Sequence, residues 1–206
     1  MKSLLRGGKQ AESYRALNME SEGSGSPGLA ALVGAAPTVS GMACMVEKLG
    51  MFVKLKFTFT AMSITVTDAA GSGSSGSVKI FDFVAQGLQP IASRQNYTAF
   101  AEDALITTNV GDADHVLGLG SVAADAGDGA LTGTEVDFAP VTGTITNVAG
   151  TGAGTKFGGQ GTAIDGTSTA VDLYLNWSGT AATIDANGAI TVTGTAELIV
   201  ALLGDD

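Results

Sequence analysis

The chain has 206 residues, of which 30 are Gly, about twice the usual share of roughly 7%. One Cys excludes an intramolecular disulfide framework, and one His excludes a multi-histidine metal centre. Acidic residues outnumber basic ones 20 to 10, a balance that disfavours nucleic acid and anionic membrane as partners. The charge is uneven: residues 1–94 carry nine Lys/Arg against six Asp/Glu, whereas 95–206 carry Lys156 alone against fourteen acids.

A hydrophobic fraction of 45% is enough for a folded core. The opening MKSLLRGGKQ has only Leu4-Leu5 as its apolar run, short of the roughly 7–15 residues of a secretory signal. No stretch reaches the roughly 18 uninterrupted apolar residues of a membrane span. Synthesis in a cytosol is therefore expected, and a lone reduced thiol at Cys44 suits that.

Composition divides the chain at about residue 50. Residues 1–50 read as an extended, mostly irregular N-terminal arm and linker. Within it, a short helix is possible near 11–19 (Ser13 to Met19, SYRALNM), marginal without a partner surface. The run SEGSGSPG reads as a flexible linker, and 29–50 as a small-residue segment lying on something else.

Residues 51–206 read as strands and turns. In KLKFTFT (54–60), Leu55, Phe57 and Phe59 share one face. The alternation then flips at Ala61-Met62, so that Met62, Ile64 and Val66 carry the apolar side; this predicts a β-bulge or a corner. AAGSGSSGS (69–77) predicts a hairpin into VKIFDFV (78–84), whose Ile80, Phe81 and Phe83 put apolar groups on both faces. Further strands are expected at 97–102, 115–123, 135–138, 141–148, 171–178 and 189–203, with Asn187-Gly188 as a hairpin turn. In VDLYLNWS, Val171, Leu173, Leu175 and Trp177 share a face; in the last strand Ile190, Val192, Ala196, Leu198, Val200 and Leu202 do. The expected fold class is all-β, a β-sandwich or jelly roll with an extended arm. Phe57, Phe59, Phe81, Phe83, Trp177, Leu198 and Val200 are the expected packing residues, in the core or between copies.

The residues carry little chemistry. GAGTKFGG (152–159) is phosphate-loop-like, but Lys156 follows Thr155 rather than Gly and no helix is in prospect, so a long flexible turn is the better reading. His115 near Asp112 and Asp114 lacks a nucleophile elbow, and Cys44 lacks a nucleophile signature. The acidic turns GDAD (111–114) and DAGDG (125–129) have incomplete calcium-loop spacing. No catalytic residue, cofactor or metal ligand is assigned.

The C-terminal run TAIDGTSTAVDLYLNWSGTAATIDANGAITVTGTAELIVALLGDD resembles the ends of tailed-bacteriophage virion structural proteins. SVKIFDFVAQG (77–87) and GLGSVAADAGDGALTGTEVDF (118–138) resemble the same group. At the last strand, Leu198-Ile199-Val200-Ala201 stands where that group often has a Trp-containing step. The resemblance implies a β-sandwich or jelly-roll decoration (cement) protein on the outer surface of the virion capsid. Its partner would be the major capsid protein, and it would form a homo-oligomer, with a trimer favoured. Candidate capsid-binding residues are Lys2, Arg6, Lys9, Tyr14, Arg15, Leu17, Leu29, Leu32 and Val33. The alternatives are another virion component (tail tube, neck or fibre) and a carbohydrate-binding or adhesin module with Tyr174 and Trp177 as stacking residues.

Overall fold

The computed structural model describes residues 20–23, 31–68, 74–102, 116–125, 130–142, 151–158, 161–179 and 187–204. The chain is all-β. Among the described residues, ten strands run in chain order: β1 (Glu20–Gly23), β2 (Gly34–Ala35), β3 (Met42–Leu49), β4 (Phe52–Asp68), β5 (Ser74–Phe83), β6 (Gly87–Glu102), β7 (Val116–Gly120), β8 (Thr151–Gly158), β9 (Asp172–Gly179) and β10 (Gly188–Gly204). They pair antiparallel in one sheet of order β7-β9-β5-β4-β10-β6-β8, with β3 beside β4, β1 beside β3 and β2 beside β5.

The predicted flip in β4 is a bulge. Val192 of β10 faces Met62 and Gly194 faces Phe59, so Thr60 and Ala61 together oppose Thr193. Ala61 takes φ 47°, and its N–H donates to Thr193 Oγ1 at 3.0 Å. The next strand breaks register in the same row, because Thr193 pairs with Ala99 and Gly194 with Tyr97, leaving Thr98 over. Thr98 Oγ1 donates to the Thr193 carbonyl at 3.3 Å. A crease therefore crosses β4, β10 and β6, and the extra residues let apolar side chains stay on the inner face on both sides of it.

The sheet curls over its own core. β4 and β5 pair only at 66–68 with 74–76, as the Gly/Ser hairpin predicts. Beyond that tip they diverge, and Phe57 of β4 meets Phe81 of β5 edge-on, centroids 6.4 Å apart at 78°. The two layers thus belong to one continuous ladder. Phe57, Phe59, Phe81, Phe83, Trp177, Leu198 and Val200 are all buried inside this single chain, which makes them core residues rather than contacts between copies. The mixed faces of VKIFDFV come from a second bulge: Ile80 is extra between Lys79↔Tyr174 and Phe81↔Leu173, and both Ile80 and Phe81 are fully buried.

Several expectations need correction. The folded sheet reaches upstream of residue 51, since β3 pairs along β4 and Val33 and Val46 lie in the core. Residues 151–158 form β8 against β6 instead of a turn. Asn187-Gly188 does not turn a hairpin between β9 and β10, because those strands are not neighbours. Residues 133–135 form a 3-10 turn where a strand at 135–138 was expected. The possible helix at 11–19, and 143–148 of the strand expected at 141–148, fall outside the described residues.

The segment 130–142 is a strap that closes the curl. It pairs along the free edge of β7: Leu119 and Ala139 exchange backbone hydrogen bonds of 3.2 and 3.0 Å, and Thr142 N–H donates to the Leu117 carbonyl at 2.7 Å. Its far side is tied to β6, where buried Gln95 donates from Nε2 to the Pro140 carbonyl at 2.8 Å and accepts from the Tyr97 hydroxyl at 2.8 Å. The Leu-Gly alternation of VLGLG fits this cover. Leu117 and Leu119 point into the core, while a Cβ at Gly118 would lie 2.6 Å from Val136 Cγ1 and one at Gly120 would strike the Glu135 backbone.

Candidate interaction surface

The outer face of β3, β4 and β10 carries exposed and half-buried side chains among the described residues. Alternation places Leu49, Glu47, Met45 and Ala43 of β3 there, opposite Phe52, Lys54, Lys56 and Thr58 of β4. Ala201, Ile199, Glu197 and Thr195 of β10 continue the same rows. The face is banded. Thr58 and Thr195 lie nearest the crease, a charged belt of Glu47, Lys54, Lys56 and Glu197 follows, and the hairpin end is apolar. Lys54 Nζ sits 3.7 Å from Glu197, a half-exposed pair that solvent screens and that contributes little to stability.

At the apolar end, Leu49 (48% exposed), Met51 (54%), Phe52 (44%) and Leu203 (52%) form a tip. Leu49 pairs directly with Phe52, and Leu202 N–H donates to the Met51 carbonyl at 2.7 Å, so β3, β4 and β10 hold the tip together. Beside it lies a groove of about 200 Å³ walled by Glu47, Leu49, Phe52, Lys54 and Ile199. Four of the six large hydrophobics exposed among the described residues gather here, a clustered apolar patch rather than scattered surface apolarity. Phe52 joins this surface because β3 is a strand that pairs along β4, with Met51 in the turn between them.

Strand β1 borders this surface. Glu20 pairs with Lys48 and Gly23 with Met45, so part of the expected arm is an added strand on the β3 edge. Lys2, Arg6, Lys9, Tyr14, Arg15, Leu17 and Leu29 lie outside the described residues. Leu32 is exposed, with its carbonyl accepting from Gln86 Nε2 at 3.4 Å. Val33 is fully buried and its carbonyl accepts from Val84 N–H at 3.1 Å, so it has no surface to offer a partner.

The other chemical candidates resolve into structure. Trp177 is fully buried in the core and cannot stack on a sugar. The Tyr174 hydroxyl donates to Asp172 at 3.0 Å, and Lys79 Nζ sits 2.7 Å from Asp82 and 3.7 Å from Asp172, which makes a closed surface cluster of ion pairs. Burial and the Asp172 hydrogen bond both push the Tyr174 hydroxyl pKa up. Cys44 lies on the inner face opposite Phe57, and burial pushes its thiol up to about 12, away from nucleophilic use. His115, Asp112 and Asp114 lie outside the described residues. Asp125 is described, and its backbone carbonyl accepts from the Ser75 hydroxyl. Among the described residues, no three His, Cys, Asp or Glu gather as a metal site. No helix among them is long and apolar enough to cross a membrane.

Comparison with protein-family models, with curated proteins and with solved structures returns no match to this chain.

Proposed function

We propose that this chain is a capsid decoration (cement) protein of a tailed bacteriophage, bound to the outer surface of the major capsid protein lattice and bridging neighbouring capsomers without chemistry. The observation that carries the reading is the seating of arm residues 20–23 on the sheet edge beside an exposed apolar tip. Arm and tip then offer one contiguous contact surface on a body whose core is otherwise closed. The resemblance of the C-terminal sequence run to the ends of virion structural proteins supports the same reading. Basic arm residues Lys2, Arg6, Lys9 and Arg15 would meet acidic partner surface, while Tyr14, Leu17, Leu29 and exposed Leu32 add apolar contact. Cement function needs no catalytic group, and many weak copies act together through multivalency. A homotrimer fits a site of threefold symmetry on such a lattice.

The test is co-sedimentation of the purified protein with capsids of the phage that encodes it, beside a variant lacking residues 2–28. Binding of the full chain at a fixed copy number per capsomer, lost in the deletion, is expected. Self-assembly into rings or tubes with no capsid binding would move the reading to a tail component. A protein that ignores capsids altogether would end it, and glycan binding would be tested next.

A further inference from the structure

We infer that two copies of the chain stack face to face through the outer side of β3, β4, β10 and β6, about a twofold axis that runs along the strands between β4 and β10. The pair belongs to the protein off any capsid and does not rest on that reading. The register of the face points to it. In one row, Glu197 stands between Lys56 and Arg94; in the next, Lys54 stands between Glu47 and Ile199; in the last, Phe52 stands between Leu49 and Ala201. Rotation about an axis along the strands keeps each row against its own equivalent and exchanges the columns, so that β4 lies over β10 and β3 over β6. Each Lys56 then meets Glu197 of the second copy, and each Arg94 lies diagonal to Glu47 of the second copy. Phe52 comes over the small Ala201, apolar tip on apolar tip. Lys54 lays its stem on Ile199 of the second copy and keeps its 3.7 Å pair with Glu197 of its own. No charge of the belt is set against its like.

The occupant follows from charge. The chain carries −10 overall, so two copies repel wherever acidic surface meets acidic surface. This face, with Lys54, Lys56 and Arg94 against Glu47 and Glu197, lets them approach without that penalty. Facing sheets pack about 10 Å apart with their strands nearly aligned, which is the arrangement this axis gives. The rows from Thr58 to Phe52 cover roughly 20 by 20 Å, about 400 Å² on each copy, to which exposed Met51 and Leu203 add the tip. A standard interface buries about 800 Å² a side, so the pair is weak and reversible.

Sedimentation equilibrium of the full chain tests the pair. The native protein is expected to rise from one to two chain masses with a dissociation constant of roughly 10–100 µM. Lys56→Glu sets an acid against Glu197 of the second copy, and Glu197→Lys sets a base against Lys56, so each variant alone weakens self-association by about tenfold or more. An equimolar mixture of the two variants restores it. The introduced acid of one copy then faces the introduced base of the other, and the native pair survives at the second contact. Both positions are half-exposed, and circular dichroism melts check that the variants keep the fold. The dilution series of the native chain stands without the variants: a protein that stays at one chain mass up to about 500 µM, or that forms a trimer, would overturn the inference. So would a native pair that both substitutions leave intact, or a mixture no more associated than its parts.

Discussion

The rings of Phe59 and Tyr97 meet across a strand that separates them, their centroids 6.3 Å apart over Gly194 of β10. Gly194 faces Phe59 on one side and Tyr97 on the other, at the crease. With no side chain between them, the two aromatics close over the glycine and fill its place in the core. Gly194 takes φ 150°, and an added Cβ would lie 2.7 Å from the Tyr97 Cα. Gly194→Ala therefore forces both backbone strain and overpacking. A loss of about 3 kcal/mol is expected in urea unfolding. An unchanged midpoint would show that the crease is soft.

The opposite sign is expected at Ala61. Its φ of 47° is a conformation that disfavours a side chain, by roughly 1–2 kcal/mol. Ala61→Gly relieves that strain and gives back about half of it as unfolded-state entropy. A net gain of about 0.5–1 kcal/mol follows, where Ala→Gly in a strand normally destabilises. Thr193→Val removes the hydroxyl that accepts the Ala61 N–H and loses about 1 kcal/mol. Thermal melts of the two variants moving in the same direction would refute this account of the bulge.

A buried amide on β9 adds to the ties that hold the strap. Asn176 Nδ2 donates to the Val122 carbonyl at 2.9 Å and to the Glu135 carbonyl at 2.8 Å, and its Oδ1 accepts from Ser77 Oγ at 2.7 Å. Asn176→Leu leaves these buried partners unmet and costs about 2–4 kcal/mol. Hydrogen exchange should accelerate first in 121–125 and 130–142, before the central strands. Uniform acceleration across the sheet would mean that the strap is not a separate latch.

Alkaline pH should destabilise the fold. Burial raises the pKa values of the Cys44 thiol and the Tyr97 hydroxyl in the folded state, so the unfolded chain releases their protons first. Stability is full below the unfolded thiol value of about 8.5 and falls as pH rises from there toward the folded value of about 12. Cys44→Ala should flatten the early part of that decline. In the native protein at pH 8, a thiol-reactive dye should label Cys44 more slowly than after denaturant is added; equal rates would contradict its partial burial.

On the proposed reading, the apolar tip serves recognition and its exposed side chains add little to folding. Met51→Ser should change unfolding free energy by less than about 0.5 kcal/mol. In capsid co-sedimentation the same variant should lower occupancy, and equal occupancy would remove the tip from the proposed contact surface.

What the sequence conveyed follows from where side chains alternate. The phase change at Ala61-Met62 announced its bulge, and the long alternation of β10 announced the strand that packs Leu198 and Val200. β8 was hidden because its glycines carry no side-chain period; its pairing is imposed by β6. The strap was read as strand at 135–138 because Val136 and Phe138 alternate with acids, yet its path is set by the glycines of β7 beneath it. Leu49, Met51 and Phe52 went unread as a surface because the small-residue stretch before them does not look like a strand. Only the β3–β4 pairing brings them to one place.

β10 lies between β4 and β6 in the ladder, although it follows the other nine described strands in chain order. Its pairing with β4 joins residues such as Phe52 and Ala201 from distant parts of the sequence. During synthesis, the edges of β4 and β6 that face β10 stay unpaired until residues 188–204 have left the ribosome. Folding is then slow, governed by non-local pairing, and a nascent or truncated chain exposes two long, apolar strand edges to its neighbours. Yield in the cell should therefore depend more on chaperone supply and on an intact β10 than on the stability of the finished protein.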